Sequence, residues 1–253
     1  GKVYLGNMDH SPIDPKWRGA PFVALNATTG ALIWRSDGLF RQTFWGGRAI
    51  IGDSIIATQD TYDQQVYAIG KGPSATTVSA PDIAAPYGTP IVIKGTVTDV
   101  SPGTSSDNLK LRFPNGVPAV SDESMNDWML YVYKQFSRPT NSTGVQVKLT
   151  AIDPNGNNIE IGTSTSDSYG NYGFTWQPKI EGTYRIIAAF EGSKSYYGST
   201  ATTYANMLLA PEVTPSPAAT PITLPPYELY TIGTGIAIIL AIAIAVLVLK
   251  KKP

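Results

Sequence analysis

The chain has 253 residues, and its 19 lysines and arginines balance its 19 aspartates and glutamates. Because the net charge is zero, the protein has no overall positive electrostatic field that would favour binding to nucleic acid. The sequence contains no cysteine, which excludes disulfides, thiolate nucleophiles and cysteine-ligated zinc. The length suffices for one or two domains besides a membrane segment.

Residues 1–72 are predicted to form short β-strands separated by turns rich in Gly, Asp and Asn. The predicted strands cover residues 2–6, 22–26, 32–35, 48–51, 54–59 and 65–69. Two stretches, VYLGN with FVALNATTGALIW and then IIATQDTYDQQVYAIG, share the order strand, polar turn, strand. Repetition at this scale indicates blades of a β-propeller.

The segment PFVALNATTGALIWRSDG (21–38) resembles the repeat of PQQ-type β-propellers. In that family a strand ending in Ala-Leu/Ile-Asp/Asn leads to a Thr-Gly turn, and the next strand closes on Trp. The matching positions are Ala24, Leu25, Asn26, Thr29, Gly30 and Trp34. A propeller needs at least four blades, and residues 1–72 supply about one and a half. The resemblance therefore implies that further blades precede residue 1.

Two groups in this region are candidate ligand sites. Asp9 and Asp14 flank His10, the only histidine, in a long polar loop that is either a small-molecule site or a solvated connection. Asp60 and Asp63 bracket Tyr62 and offer the hard oxygen ligands that Ca²⁺ takes, or else form a turn with exposed carboxylates. The oxygen-rich turns 153–158 and 167–171 carry the same two interpretations.

The resemblance to PQQ-type propellers also raises the question of a cofactor. Quinoprotein dehydrogenases of that family need a complete ring, a Ca²⁺ site and a central catalytic aspartate. Residues 1–72 show no such constellation, so PQQ and Ca²⁺ enter only if upstream blades supply the site. An extracellular quinoprotein oxidoreductase with its active site in those blades is the alternative function.

Residues 73–209 are predicted to form an Ig-like β-sandwich. The runs 91–97 and 145–152 alternate apolar and polar residues, and turn motifs recur about every eight to twelve residues. The stretch 163–201 resembles the Ig-like and carboxypeptidase-regulatory-like modules of prokaryotic surface proteins through three corner motifs. Their residues are Thr165, Gly170, Tyr172, Pro178, Gly182, Tyr184, Phe190, Gly192 and Tyr196. That resemblance implies a fold and no particular ligand.

Residues 101–144 are predicted to be an insertion in this sandwich, with one helix over 121–135. Met125, Trp128, Met129 and Val132 recur at helical spacing and define an apolar face. The aromatic set Trp128, Tyr131, Tyr133 and Phe136 is either a binding platform or core. Trp128 is the better core candidate, because it shares the face of Met125 and Met129.

Two sequons mark candidate N-glycosylation sites, Asn26-Ala27-Thr28 and Asn141-Ser142-Thr143. Asn141 lies in a Pro/Thr/Ser-rich loop and is the better candidate. Asn26 is better explained by the hairpin turn.

The C-terminus is predicted to be a Pro/Thr-rich stalk (210–227) followed by a membrane anchor (228–253). The apolar run from Ile232 to Leu249 would span about 27 Å as a helix, close to the thickness of a bilayer core. Tyr230 suits one interface, and Lys250, Lys251 and Lys252 suit the cytoplasmic side. A sortase-type signal is the alternative, although LPPYE (224–228) lacks the Thr-Gly of that motif.

The fold class predicted is therefore all-β, with the last one to two blades of a propeller, an Ig-like sandwich and a single transmembrane helix. Nearly the whole chain resembles archaeal cell-surface proteins that combine PQQ-binding-like repeats, such a module and a C-terminal anchor. The function predicted is a non-enzymatic, membrane-anchored extracellular protein for adhesion or envelope scaffolding. Its predicted partners are the lipid bilayer and envelope proteins or glycans, not nucleic acid.

Overall fold

The computed structural model describes residues 1–9, 18–43, 48–209 and 227–251. The chain divides into two compact units, Gly1–Ala210 and Pro211–Pro253. The domain boundary expected near residue 72 lies inside the first unit. The prediction of a mostly β chain that ends in an apolar helix is confirmed.

The first part of the chain forms two small sheets whose strands follow the predicted order. The strands are β1 (Lys2–Asp9), β2 (Phe22–Asn26), β3 (Leu32–Ser36), β4 (Arg41–Thr43), β5 (Ile50–Gly52), β6 (Ile55–Gln59) and β7 (Val66–Ile69). The first sheet has the order β3-β2-β1-β4, with β4 parallel to β1, and the second has the antiparallel order β5-β6-β7. We call residues 1–72 the repeat region.

The two sheets of the repeat region share an aromatic core. Phe22 and Phe40 are fully buried, and their rings meet edge to face with centroids 5.5 Å apart. Ile56 from the second sheet is buried in the same cluster, against which Tyr4, Trp34 and Tyr67 pack. The inner faces of the two sheets therefore cover each other, as in any pair of stacked sheets.

Residues 73–209 form two larger sheets around a second core. The strands are β8 (Ser74–Thr76), β9 (Ala85–Pro86), β10 (Ile91–Asp99), β11 (Val117–Pro118), β12 (Gln146–Ile152), β13 (Asn158–Thr165), β14 (Asn171–Trp176), β15 (Gly182–Gly192) and β16 (Tyr197–Leu208). One sheet has the order β11-β10-β14, with β8 also paired to β10, and the other has the order β13-β12-β15-β16-β9. Apolar residues alternate along β10, β12 and β15 and meet in one buried cluster, which includes Ile93, Leu149 and Ile186.

The insertion holds a short 3-10 helix (Pro102–Ser105) and two α-helices, of which the sequence predicts one. Helix α1 (Asp107–Arg112) was missed, because six residues are too short for a helical period to stand out. Helix α2 runs from Met125 to Lys134, and Gln135 ends it in the left-handed conformation with φ 59°. The predicted start at residue 121 is too early, because residues 122–124 form a turn closed by the Ser124 N–H on the Ser121 carbonyl, while the Ser121 N–H donates across to the carbonyl of Thr143.

A third helix, α3 (Tyr227–Lys250), belongs to the second unit.

Candidate functional site

Helix α3 is long and apolar enough to cross a bilayer. Its 24 residues have a length of about 36 Å, more than the bilayer core of about 30 Å, and its most apolar 18-residue window has a mean hydropathy of 2.9. None of its residues is buried against the rest of the described chain. The run from Ile236 to Leu249 is apolar without interruption, so apolar side chains surround the helix. That pattern is typical of a spanning helix and not of an amphipathic helix that lies on a surface.

The polar side chains within this helix are satisfied internally. The Thr231 hydroxyl donates to the carbonyls of Tyr227 and Glu228 at 3.0 and 2.9 Å. The Thr234 hydroxyl donates to Tyr230 and Thr231 at 2.8 and 3.1 Å. An unpaired hydroxyl costs free energy in hydrocarbon, and these back-bonds remove that cost.

The two ends of α3 differ in charge. Glu228 lies in the first turn, where the helix dipole favours a negative charge, and Lys250 lies in the last turn, where it favours a positive one. Lys251 follows directly, while Lys252 lies outside the described residues. The anchor residues named from the sequence, from Tyr230 through Ile232 to Leu249, thus fall within one continuous helix.

The candidate calcium ligands Asp60 and Asp63 face the ammonium group of a lysine from the same chain. The Lys134 ammonium, at the end of α2, bonds with Asp60 and lies 3.0 Å from Asp63 Oδ2. The Lys134 side chain is 1% exposed and that of Asp60 is 0% exposed, so this ion pair is fully out of water. We call Asp60, Asp63, Tyr67 and Lys134 the junction cluster.

Every oxygen of these two carboxylates has a donor. Asp60 Oδ1 accepts from the backbone N–H groups of Arg41 and Tyr62 at 3.0 and 3.1 Å. Asp63 Oδ1 accepts from the N–H of Gln65 at 3.0 Å, and Asp63 Oδ2 accepts from the Tyr67 hydroxyl at 2.6 Å. Partial burial raises the pKa of Asp63, but the bonds from Tyr67, Gln65 and Lys134 outweigh it and hold that pKa below its ordinary value.

The geometry of the junction cluster argues against the calcium interpretation of Asp60 and Asp63. The lysine occupies the position between the carboxylates that a metal ion would need. Within the described ranges, no group of three or more acidic or histidine side chains is arranged to hold a metal. Two other oxygen-rich turns use their carboxylates locally, since Asp153 Oδ1 and Asp167 Oδ1 each accept two backbone N–H groups.

Helix α2 is buried on both sides, which the sequence reasoning missed. Trp128 and Val132 face the insertion core beside Leu109 and Val117. Leu130 and Lys134 lie on the opposite side of the helix, at about 100° per residue, and both are buried. The available sequence feature was Leu130 four residues before Lys134, but a lysine is ordinarily read as solvent-exposed.

Further contacts join the end of α2 to the repeat region. The Arg18 guanidinium donates to the carbonyl of Gln135 at 2.9 Å and lies over the Phe136 ring. The Tyr67 hydroxyl lies 3.4 Å from the carbonyl of Tyr133. The repeat region and the insertion are therefore joined by both charged and aromatic contacts.

The aromatic set of α2 is largely core. Trp128 is fully buried, and Tyr131 and Tyr133 are half-buried against the same cluster. The Arg112 guanidinium lies over the Tyr131 ring at 4.7 Å from its centroid, which occupies the surface that a binding platform would leave open. The core interpretation therefore describes these residues better than the platform interpretation.

The polar loop around His10 supplied three further candidate site residues, of which the structure describes one. Asp9 ends β1. His10 and Asp14 lie outside the described residues.

The two sequons differ in their surroundings. Asn26 Oδ1 accepts from the backbone N–H groups of Thr28 and Thr29 at 2.9 and 3.0 Å, which ties the side chain into the β2–β3 turn. Asn141 is exposed in the segment between α2 and β12 and borders a pocket of about 150 Å³.

A shallow groove of about 490 Å³ lies where the insertion meets the five-stranded sheet. Its charged side chains include Glu123, Lys148 and Glu191, and Thr163 and Thr165 add hydroxyls. Asp122 shapes one wall, because its carboxylate accepts from Ser193 and Ser195 in the β15–β16 turn at 2.9 and 2.7 Å. Such a groove offers hydrogen bonds of both kinds to a polar ligand.

The outer faces of the repeat region are largely apolar as well. In antiparallel pairs, opposed residues lie on the same side of the sheet. Val3 opposes Leu25, Leu5 opposes Val23 and Leu32 opposes Leu25, so all five lie on the side of the first sheet that faces away from the aromatic core. Arg35 opposes Val23 and lies on that side too. On the second sheet the outward residues are Ile50, Gly52, Ile55, Ala57, Gln59, Val66 and Ala68. Ile50 and Val66 are 71% and 74% exposed.

Comparisons with known proteins leave the family open. No family model and no curated protein matches the chain. Among solved structures, it is similar to fibronectin(III)-like modules of CbhA from Clostridium thermocellum at 10% identity, over 81% of this chain and 95% of that one. The TM-score of 0.28 is too low to establish a shared fold.

Proposed function

We propose that the protein is a surface protein held in the cell membrane by α3, with residues 1–209 outside the cell and the C-terminal lysines inside. The observation that carries this proposal is a 24-residue apolar helix with no buried face and with its threonine hydroxyls bonded within the helix. Lysines on the cytoplasmic flank of a single span fix its orientation. The role we assign is adhesion or envelope scaffolding.

The groove beside Asp122 supports a binding role. Its carboxylates, ammonium and hydroxyls suit the hydroxyls of a glycan or the polar surface of an envelope protein. Oxidoreductase activity through PQQ and Ca²⁺ in further blades stays a prediction, and no geometry in the described residues favours it.

Topology can be tested with single cysteines, because the chain has none of its own. Ser106→Cys lies at an exposed position ahead of α1, and Pro253→Cys lies beyond the anchor. Intact cells are treated with a maleimide that cannot cross membranes. We expect labelling of the Ser106→Cys protein in intact cells, and of the Pro253→Cys protein only after permeabilisation. The reverse pattern, or recovery of the protein in the soluble fraction, would overturn the proposal.

We also propose that residues 1–72 are the end of a β-propeller whose other blades precede them in the same polypeptide. The support is that the outer faces of both sheets carry mostly Val, Leu, Ile and Ala, with Arg35 and Gln59 as the polar residues placed there by the pairing, and largely apolar outer faces are common where strands are covered on both sides. A free two-layer pair would place mainly polar residues on its outer faces, whereas most of the residues here are Val, Leu, Ile or Ala. The preceding blades would cover the outward side of the first sheet.

Oxidative footprinting of protein purified from its own membranes tests this second proposal. Leu5 and Leu32 lie on the outer face of the first sheet, and Leu111 is an 83% exposed leucine in α1 that serves as the internal control. If preceding blades cover this face, we expect Leu5 and Leu32 to be oxidised several-fold more slowly than Leu111. Equal reactivity of the three leucines would show that the face is open to solvent.

A further inference from the structure

The structure separates the two sequons, and we propose that Asn141 carries an N-linked glycan and Asn26 does not. This inference rests on the outward orientation proposed above, because such transfer occurs on the outer side of a membrane. The reaction joins Asn141 Nδ2 to the anomeric carbon of a sugar. The amide nitrogen loses one proton, and the lipid-linked diphosphate of the donor departs.

The first step of the case is the freedom of the Asn141 side chain. Asn141 is exposed, and its amide makes no hydrogen bond to the described residues. It lies in a segment without regular structure between α2 and β12, the kind of surface loop in which acceptor asparagines are found. An attached sugar would displace no packed group.

The second step is that Asn26 is held by its turn. Its carbonyl oxygen accepts from Thr28 and Thr29, the two residues after Ala27, while its backbone carbonyl accepts from Gly30 at 2.9 Å. The sequon is therefore folded tightly on itself between two paired strands. A transferase must bind all three sequon residues, and doing so here would require the β2–β3 hairpin to open.

The third step is the pocket beside Asn141. Its walls carry Glu123 and Asp127 of the α2 start, together with Ser124 and Ser142. The Ser142 hydroxyl oxygen is buried and has no partner within the described part of the chain. Sugar hydroxyls can donate to both carboxylates and to Ser142, so the first sugar residues would lie over the first turn of α2.

The hydroxyl of the Asn141 sequon has contacts of its own. Thr143 Oγ1 lies 2.9 Å from Ser121 Oγ and 3.4 Å from Ser124 Oγ, and the Thr143 N–H donates to Ser124 at 3.0 Å. Thr143 is exposed, and these bonds lie at the surface ahead of α2, so a transferase that engages Thr143 displaces surface hydroxyl contacts and does not have to open a β-hairpin, as it would at Asn26.

The test is peptide mass spectrometry of the full chain purified from the membranes of the organism that encodes it. We expect the Asn141 peptide to carry a glycan mass in most molecules and the Asn26 peptide to appear at its sequence mass. Asn141→Gln should return the intact mass to the sequence value, and Asn26→Gln should leave the glycan in place. The peptide from the unaltered protein gives the result even if a variant misfolds.

Three outcomes would overturn the inference, and the first two differ in what they say of the topology. An unmodified Asn141 in protein whose Ser106→Cys form is labelled in intact cells would refute the glycan alone and leave the outward orientation standing. An unmodified Asn141 together with protection of Ser106→Cys would refute both. A glycan on Asn26 but not on Asn141 would also refute it.

Discussion

Lys134 joins parts of the first unit that are far apart in sequence. Its ammonium reaches Asp60 and Asp63 across more than seventy residues, and it lies 4.4 Å from the centroid of the Tyr67 ring. Removing water from three charged groups is costly, so the pairing is stable only while all partners are present. The junction cluster therefore makes the position of α2 dependent on one side chain.

Replacing Lys134 with Ala should destabilise the first unit by about 3–5 kcal/mol, because it leaves Asp60 buried without its counter-ion. Unfolding in urea can be followed by tryptophan fluorescence, since all five tryptophans precede residue 177. Arg35→Ala is the matched control. Its ion pair with Asp37 is 53% and 69% exposed and should contribute about 0–1 kcal/mol. Equal losses for the two variants would contradict the buried geometry.

Asp122 should make the first unit sensitive to acid. Partial burial raises its pKa, but hydrogen bonds from Ser195, Lys194 and Ser193 outweigh that and lower it below the ordinary value of 3.8. A lowered folded pKa contributes stability that is present above pH 3.8 and is lost as pH falls through the folded value. Asp122→Asn should therefore reduce the slope of Tm against pH below about pH 4. Parallel curves for variant and parent would contradict this.

At the scale of elements, tight turns fix the register of the larger sheets. Two Asp-initiated turns look equivalent in sequence, one ending at Gly156 and the other at Gly170. Both glycines have positive φ, 86° and 82°. Their surroundings differ, because a Cβ on Gly156 would meet open space, while one on Gly170 would lie 2.8 Å from the carbonyl oxygen of Val97.

Gly170→Ala should therefore cost more stability than Gly156→Ala. The Gly156 variant bears only the left-handed strain of about 1–2 kcal/mol, while the Gly170 variant adds a clash with backbone, for a total of about 2–5 kcal/mol. The difference in urea midpoint between the two variants measures the clash. If both variants lose the same stability, strand β10 is not where the structure places it.

The sequence predicts elements here better than it predicts contacts between them. Strand β2 matches its prediction at both ends, because alternation and turn residues are local properties. The second buried side of α2 and the ion pair of Lys134 depend on the repeat region, which lies sixty or more residues away. The calcium interpretation of Asp60 and Asp63 shows the same limit, because a pair of carboxylates does not reveal which cation it faces.

At the scale of the whole molecule, the repeat region and residues 73–209 form one compact unit. The junction cluster lies between them, so we expect the first unit to unfold in a single calorimetric transition in mild detergent. Lys134→Ala should split that transition into two, with the repeat region melting first, because its own core is small. A single transition in the variant would show that the remaining contacts of α2 suffice.

The last strand of the first unit has a mechanical consequence. Strand β16 is paired with β15 from Met207 to Tyr197, and its end also pairs with β9 through Met207 and Leu208. Residues 210–226 connect this strand to α3 along the chain, so in the membrane-anchored protein proposed above a load on residues 1–209 would be transmitted through β16. A force along β16 would load its inter-strand hydrogen bonds together, in shear. A force perpendicular to the strands of a hairpin would instead break such bonds one at a time. The longest strand of the described residues thus lies where tension from such an anchor would enter the first unit.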